Sequence, residues 1–108
     1  MLMNNGTFNN AQIVPESWIK STLEESAEYK NIFSKSEYGL RLPGFHYKNQ
    51  TWVGGPETMI CIGIYGQAIY VDQKNKMVIV KLSSHPEPDD PLILGNTFLG
   101  IVALSENL

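Results

Sequence analysis

The sequence predicts an α+β fold, with an N-terminal helix, a three-stranded antiparallel meander and a C-terminal helix packed on the sheet. Three observations predict it. Trp18, Ile19, Thr22 and Leu23 recur at helical spacing behind Pro15 and Glu16. Runs of apolar and β-branched residues at Met59–Ile62, Gln67–Asp72 and Met77–Leu82 are separated by glycines and by one polar turn. Leu92–Leu104 is largely apolar and follows Asp90 and Pro91, a capping residue and a first-turn proline.

Taken in order, Asn4-Asn5-Gly6-Thr7 and Asn9-Asn10 are turn formers, because Asn and Gly accept positive φ at little cost. Pro15 to about Glu25 reads as the first helix, with Glu16 placing an acid in its first turn. From Ser26 to Pro43 the pattern weakens; Gly39–Leu42 is a candidate short strand, and Pro43-Gly44 a turn before Phe45-His46-Tyr47. Met59–Ile62 suits a buried strand. Gly63 and Gly66 then bracket a place where the backbone bends or something approaches it closely. Gln73-Lys74-Asn75-Lys76 is a polar hairpin loop between the last two strands. Gly95 and Gly100 each cost the closing helix about 1 kcal/mol relative to Ala, a penalty expected where the helix lies close against the sheet.

Composition narrows the function classes. At 108 residues and 43% hydrophobic content the chain is one domain, able to bury roughly two thirds of its unfolded surface. A net charge of -3, with eight scattered Lys and Arg, leaves no footprint for nucleic acid or an anionic membrane. Nor does any apolar run approach the roughly 18 residues of a membrane span. The single Cys61 allows no internal disulfide and is read as a small buried strand residue, with no base or positive field to activate it. His46 and His85 lack a second ligand at a recognised spacing and are read as exposed loop histidines; Asp89 and Asp90 are read as capping residues. Hence neither a metal nor a cofactor is expected. Met1–Gly6 has no basic region and no apolar signal core, but a start internal to a longer protein would leave any leader upstream, so no compartment is assigned.

Three blocks carry a family resemblance in a consistent order. They are Leu2-Met3-Asn4-Asn5-Gly6 through Ile13-Val14-Pro15-Glu16-Ser17-Trp18, then Tyr38-Gly39-Leu40, then Gly63-Ile64-Tyr65-Gly66-Gln67 through Ser84. Together they span almost the whole chain. They resemble the penicillin-recognising serine hydrolases, specifically the class C β-lactamase-like branch that includes esterases and 6-aminohexanoate-dimer hydrolases.

The resemblance implies that residues 1–108 form a single partial domain, the C-terminal part of a β-lactamase/transpeptidase-like fold. In that fold two N-terminal strands complete the sheet, and helices from both chain ends pack on one of its faces. The resemblance implies that the family's functional Ser-x-x-Lys and Tyr-x-Asn motifs lie in the missing N-terminal part of the fold and not in this chain. Ser17-x-x-Lys20 has the first spacing, but the family places that helix far from the catalytic one. Cys61-Ile62-Gly63 aligns with the family's Lys-Thr-Gly and keeps only the glycine, which argues against recognition of a β-lactam carboxylate by that lysine. What carries over is backbone: Ile64 would donate its N–H to an oxyanion hole, with Gly63 and Tyr65 at the substrate. Gln73, where proline is common, and Leu40-Arg41-Leu42, where tryptophans are frequent, are further departures that bear on the pocket. The implied function is acyl transfer on amides, esters or β-lactam-like rings, with the chain inactive alone. Its implied partners are the missing N-terminal region or a second copy, and a small amide or ester substrate. The competing reading is a non-catalytic α+β module that binds a partner or peptide along its open sheet edge.

Overall fold

The computed structural model of the protein describes residues 1–107. Asn5, Asn9 and Asn10 all take the left-handed conformation, at φ 51°, 48° and 63°, as their side chains allow. They shape a short antiparallel hairpin of β1 (Thr7–Phe8) and β2 (Ala11–Gln12). Two helices follow, α1 (Glu16–Leu23) and α2 (Ala27–Ser34). Five strands come next: β3 (His46–Lys48), β4 (Thr51–Gly55), β5 (Thr58–Ile62), β6 (Ala68–Asp72) and β7 (Met77–Lys81). They pair antiparallel in sequence order, and α3 (Pro91–Asn107) closes the chain. The three expected strands are β5, β6 and β7, so the meander begins two strands earlier than the sequence suggested.

Strand register sorts the side chains between two faces. Val53, Met59, Val71 and Val78 are successive cross-strand partners and share one face; Trp52, Ile60, Tyr70 and Ile79 share the other. α1 lies on the first face, where Ile19 and Leu23 meet Val53, Met59 and Val71, flanked by Leu2, Met3 and Val14. The second face receives α3. Lys81 Nζ donates to Thr97 Oγ1 at 2.7 Å, and Ile101, one helical turn further along, is buried. Thr97, Ile101 and Ser105 fall four residues apart, the spacing of one helix stripe. The chain is therefore layered α1, sheet, α3. Burial and then the nearby Asp72 carboxylate push the Tyr70 hydroxyl up from its ordinary pKa.

The last carbonyls of α1 have no partner within the helix, and the β3 region supplies them. Lys48 Nζ donates to Ser21 O at 2.6 Å, His46 Nε2 lies 3.1 Å from Thr22 O, and Asn49 Nδ2 donates to Thr22 Oγ1 at 2.7 Å. His46 is only 1% exposed. The expectation of an exposed loop histidine is thus wrong for His46, which is a buried residue on strand β3 terminating a helix.

Two further expectations change. Gly39–Leu42 forms no strand: successive turns carry the chain away from α2, with Gly39 N–H donating to Ser36 O and both Arg41 and Leu42 to Tyr38 O. A side chain at Gly39 would collide with the Phe33 and Ser34 carbonyls, which explains the glycine by close turning rather than by a strand. Gly95 and Gly100 face open space, so close approach of α3 to the sheet is not what places them there.

Met59 is 1% exposed at the centre of the α1–sheet core, so Met59→Ala should cost about 2–5 kcal/mol in urea denaturation. Leu92→Ala, at a residue 75% exposed on α3, should change stability by no more than about 0.5 kcal/mol.

Candidate functional site

β5 ends at Ile62, and the backbone must reverse before β6 begins at Ala68. It does so through Gly63 and a tight helical turn over Ile64–Gly66, closed by the Gly63 N–H donating to Gln67 O at 2.9 Å. Tyr65 sits at φ 63° and Gly66 at φ 89°. For a non-glycine residue the left-handed conformation is uphill by about 1–2 kcal/mol, so something outside the turn must hold Tyr65 there. The segment before α3 does so. Tyr65 N–H donates to Pro88 O at 3.1 Å, and His85 N–H donates to Tyr65 O at 2.9 Å. Gly66 is required twice over, by its positive φ and because a Cβ there would run into the His85 ring.

Within this turn the N–H groups of Gly63 and Tyr65 are both committed. That of Ile64, between them, donates to no protein acceptor among the described residues. Ile64 is 69% exposed and lies at the wall of a cavity of about 410 Å³. Gly63 and Gly66 line the same cavity, with Leu42, Trp52, Ile62, Leu94 and Phe98 forming apolar walls. Arg41 Nη1 meets Asp89 Oδ2 at 3.1 Å at its rim, a pair tying the loop after α2 to the segment before α3. Both partners are well exposed, so the pair contributes at most about 1 kcal/mol. A neighbouring apolar groove of about 400 Å³ runs between α2 and the sheet, lined by Tyr29, Ile32, Phe33, Ser36, Tyr38, Tyr47 and Trp52. Trp52 is the hinge of both spaces. Its ring packs edge-on with Phe33, Tyr38 and Tyr47 at centroid distances of 5.8, 5.1 and 5.0 Å.

The structure brings together two of the three residues singled out for the site. Gly63 and Ile64 line the cavity; Tyr65, in the same turn, is not among its lining residues. Cys61, on β5, has its thiol pushed up by burial, which disfavours the thiolate a nucleophile needs. His85 is half-buried, contrary to the expected exposure, because its ring covers Gly66 and its Nε2 lies 3.0 Å from Lys81 Nζ. Asp90 caps α3 as expected, accepting from the N–H groups of Leu92 at 2.9 Å and Ile93 at 3.3 Å. Trp52, Arg41 and Asp89 were not singled out as site residues. The β-branched Thr51 and Val53 on either side of Trp52 are the sequence signal that would have marked it as a strand aromatic. Nothing local in the sequence pairs Arg41 with Asp89. Among the described residues no group of three metal-ligating side chains converges, and no helix is long and apolar enough to cross a membrane.

No protein-family model matches the chain. The chain is similar to the 6-aminohexanoate-dimer hydrolase of Paenarthrobacter ureafaciens, with 31% identity over 91 residues. The matched region takes in 82% of this chain and 23% of that enzyme, so the chain spans under a quarter of its relative's length. The chain is homologous to part of a hydrolase.

The turn geometry makes opposite predictions for two glycines. Gly66→Ala should lower stability by about 1–3 kcal/mol and shift the His85 ring resonances, since the new methyl group meets the imidazole at a strained φ. Gly95→Ala, in open space within a helix, should raise stability by about 1 kcal/mol. Thermal unfolding with NMR of the imidazole checks both.

Proposed function

We propose that the chain is the C-terminal part of a β-lactamase-like serine hydrolase and supplies one oxyanion-hole donor, the Ile64 N–H, for acyl transfer from an amide or ester. The observation that carries this reading is the uncommitted N–H of Ile64, a residue lining the cavity, between two neighbours whose N–H groups are both used. When a nucleophile adds to a carbonyl, negative charge develops on the carbonyl oxygen. A backbone N–H already fixed in place stabilises that charge with no reorganisation during the step. Gly63, with no side chain, leaves the substrate room to approach this strand.

The nucleophile comes from a region outside this chain. Two features support a missing neighbour. β7 is a sheet edge whose Val78 and Val80 are exposed, and α3 exposes Leu92, Leu99, Val102 and Leu104. A helix apolar on nearly all sides is ordinarily buried. The apolar walls of the cavity and of the adjoining aromatic groove suit an uncharged acyl chain, held by contact area rather than by ion pairing. A second reading rests on the same open β7 edge, which could accept an extended peptide as a sixth strand with no chemistry involved.

The isolated chain should give no hydrolysis of short p-nitrophenyl esters above a heat-treated control. Joined to the N-terminal region of a related hydrolase that carries the nucleophile, it should give turnover and an acyl adduct on the serine, detected by intact mass. A folded hybrid without adduct, in which the chain instead binds extended peptides, favours the module reading.

A further inference from the structure

Holding Tyr65 in the left-handed conformation fixes the path of the Gly63–Gly66 turn that carries the Ile64 N–H, so whatever anchors the 85–88 segment also steadies that donor. The anchor is a chain of side-chain hydrogen bonds reaching from α3 to the turn. Thr97 Oγ1 donates to Ile93 O at 3.0 Å, one helical turn back, and accepts from Lys81 Nζ at 2.7 Å. Lys81, the last residue of β7, lies through the same ammonium 3.0 Å from His85 Nε2. An ammonium can only donate, so His85 Nε2 must accept and the ring proton belongs on Nδ1. The imidazole oriented in this way covers Gly66, while the His85 backbone N–H binds Tyr65 O.

We propose that Lys81 and His85 are positioning residues for the Ile64 N–H: Lys81 locks the His85 ring against Gly66 and thereby holds the turn that presents the donor. The proposal rests on the reading of Ile64 as an oxyanion-hole donor. Neither side chain acts on the substrate. Lys81 works through His85, and His85 through the backbone of Tyr65 and the surface of Gly66. The arrangement joins three elements that are distant in sequence, so the aim of the donor depends on how α3 sits on the end of β7. It also gives Lys81 a role unrelated to charge at the cavity, since the cavity's lining includes His85 but not Lys81.

The test uses the full chain without substrate, by NMR on ¹⁵N-labelled protein. In the wild type, His85 should show the tautomer protonated on Nδ1. Lys81→Met removes the donor to Nε2, so the His85 nitrogen shifts should move toward a mixture of tautomers. Amide exchange at Tyr65 should quicken on the order of tenfold as its bond to Pro88 O loosens. Exchange at Met59 and Val71 in the core should stay unchanged, which separates the effect from global unfolding. Thr97→Val, which removes only the second acceptor of Lys81, should produce a smaller change in the same direction and keeps the test usable if Lys81→Met does not fold. Wild-type tautomer and wild-type Tyr65 exchange in the folded variants would overturn the proposal. Because neither readout involves turnover, failure of Ile64 as a donor would be seen separately, in catalysis alone.

Discussion

The left-handed Tyr65 is the constraint on which the candidate site depends. A five-residue connection between antiparallel strands can take many paths, and this one is fixed by pairing both backbone groups of Tyr65 with the 85–88 segment. That pairing takes the Tyr65 N–H, the turn's own closure onto Gln67 O takes that of Gly63, and the N–H of Ile64 is left between them. It also requires the chain to leave β7 and return across the end of β5 before α3 begins. Asp90 then caps α3 immediately after Pro88 has accepted from Tyr65, so helix start and turn geometry are set within three residues of each other. The cavity walls contributed by Leu94 and Phe98 follow from where that helix is started.

The two faces of the sheet are unequally completed. On one, α1 covers Val53, Met59 and Val71 with Ile19 and Leu23, its terminal carbonyls are paired with Lys48 and His46, and Asn49 donates to the Thr22 hydroxyl. This face has what a stable core needs: apolar contact with the buried backbone groups paired. Beyond α1, on the same face, Ile69, Val78 and Val80 remain exposed beside the free edge of β7. On the other face α3 is held by the buried Ile101 and by the Lys81–Thr97 hydrogen bond. Val78 and Val80 on β7 and Leu92, Leu99, Val102 and Leu104 on the outer side of α3 leave apolar surface uncovered.

Much of this was legible in the sequence where pattern and chemistry are local. α1 is written in the spacing of Ile19, Thr22 and Leu23, the strands β5 to β7 in their β-branched runs, and α3 in Asp90-Pro91 followed by apolar residues. The β3–β4 hairpin was hidden because its turn is Asn49-Gln50 at φ 51° and 59°, where the recognisable signal is Asn-Gly. α2 is hard to read because its eight residues hold only one turn of helical spacing, Tyr29, Ile32 and Phe33, which is too short to stand out as a periodic run. His46 was misread for a related reason. Its partner is a helix carbonyl 24 residues away, and no sequence spacing marks such a pair. At the site, Gly63 and Gly66 announced a close approach correctly, but the approaching group, His85, was visible only in three dimensions.

The central claim is that the Ile64 N–H meets charge that exists only in the transition state. Replacing the Ile64 amide by an ester through semisynthesis, in a complete enzyme containing this segment, removes that donor and leaves the side chain intact. Turnover should then fall on the order of a hundredfold or more, with little change in KM. A correctly folded ester analogue with near-normal turnover would contradict the account and remove Ile64 from the oxyanion hole.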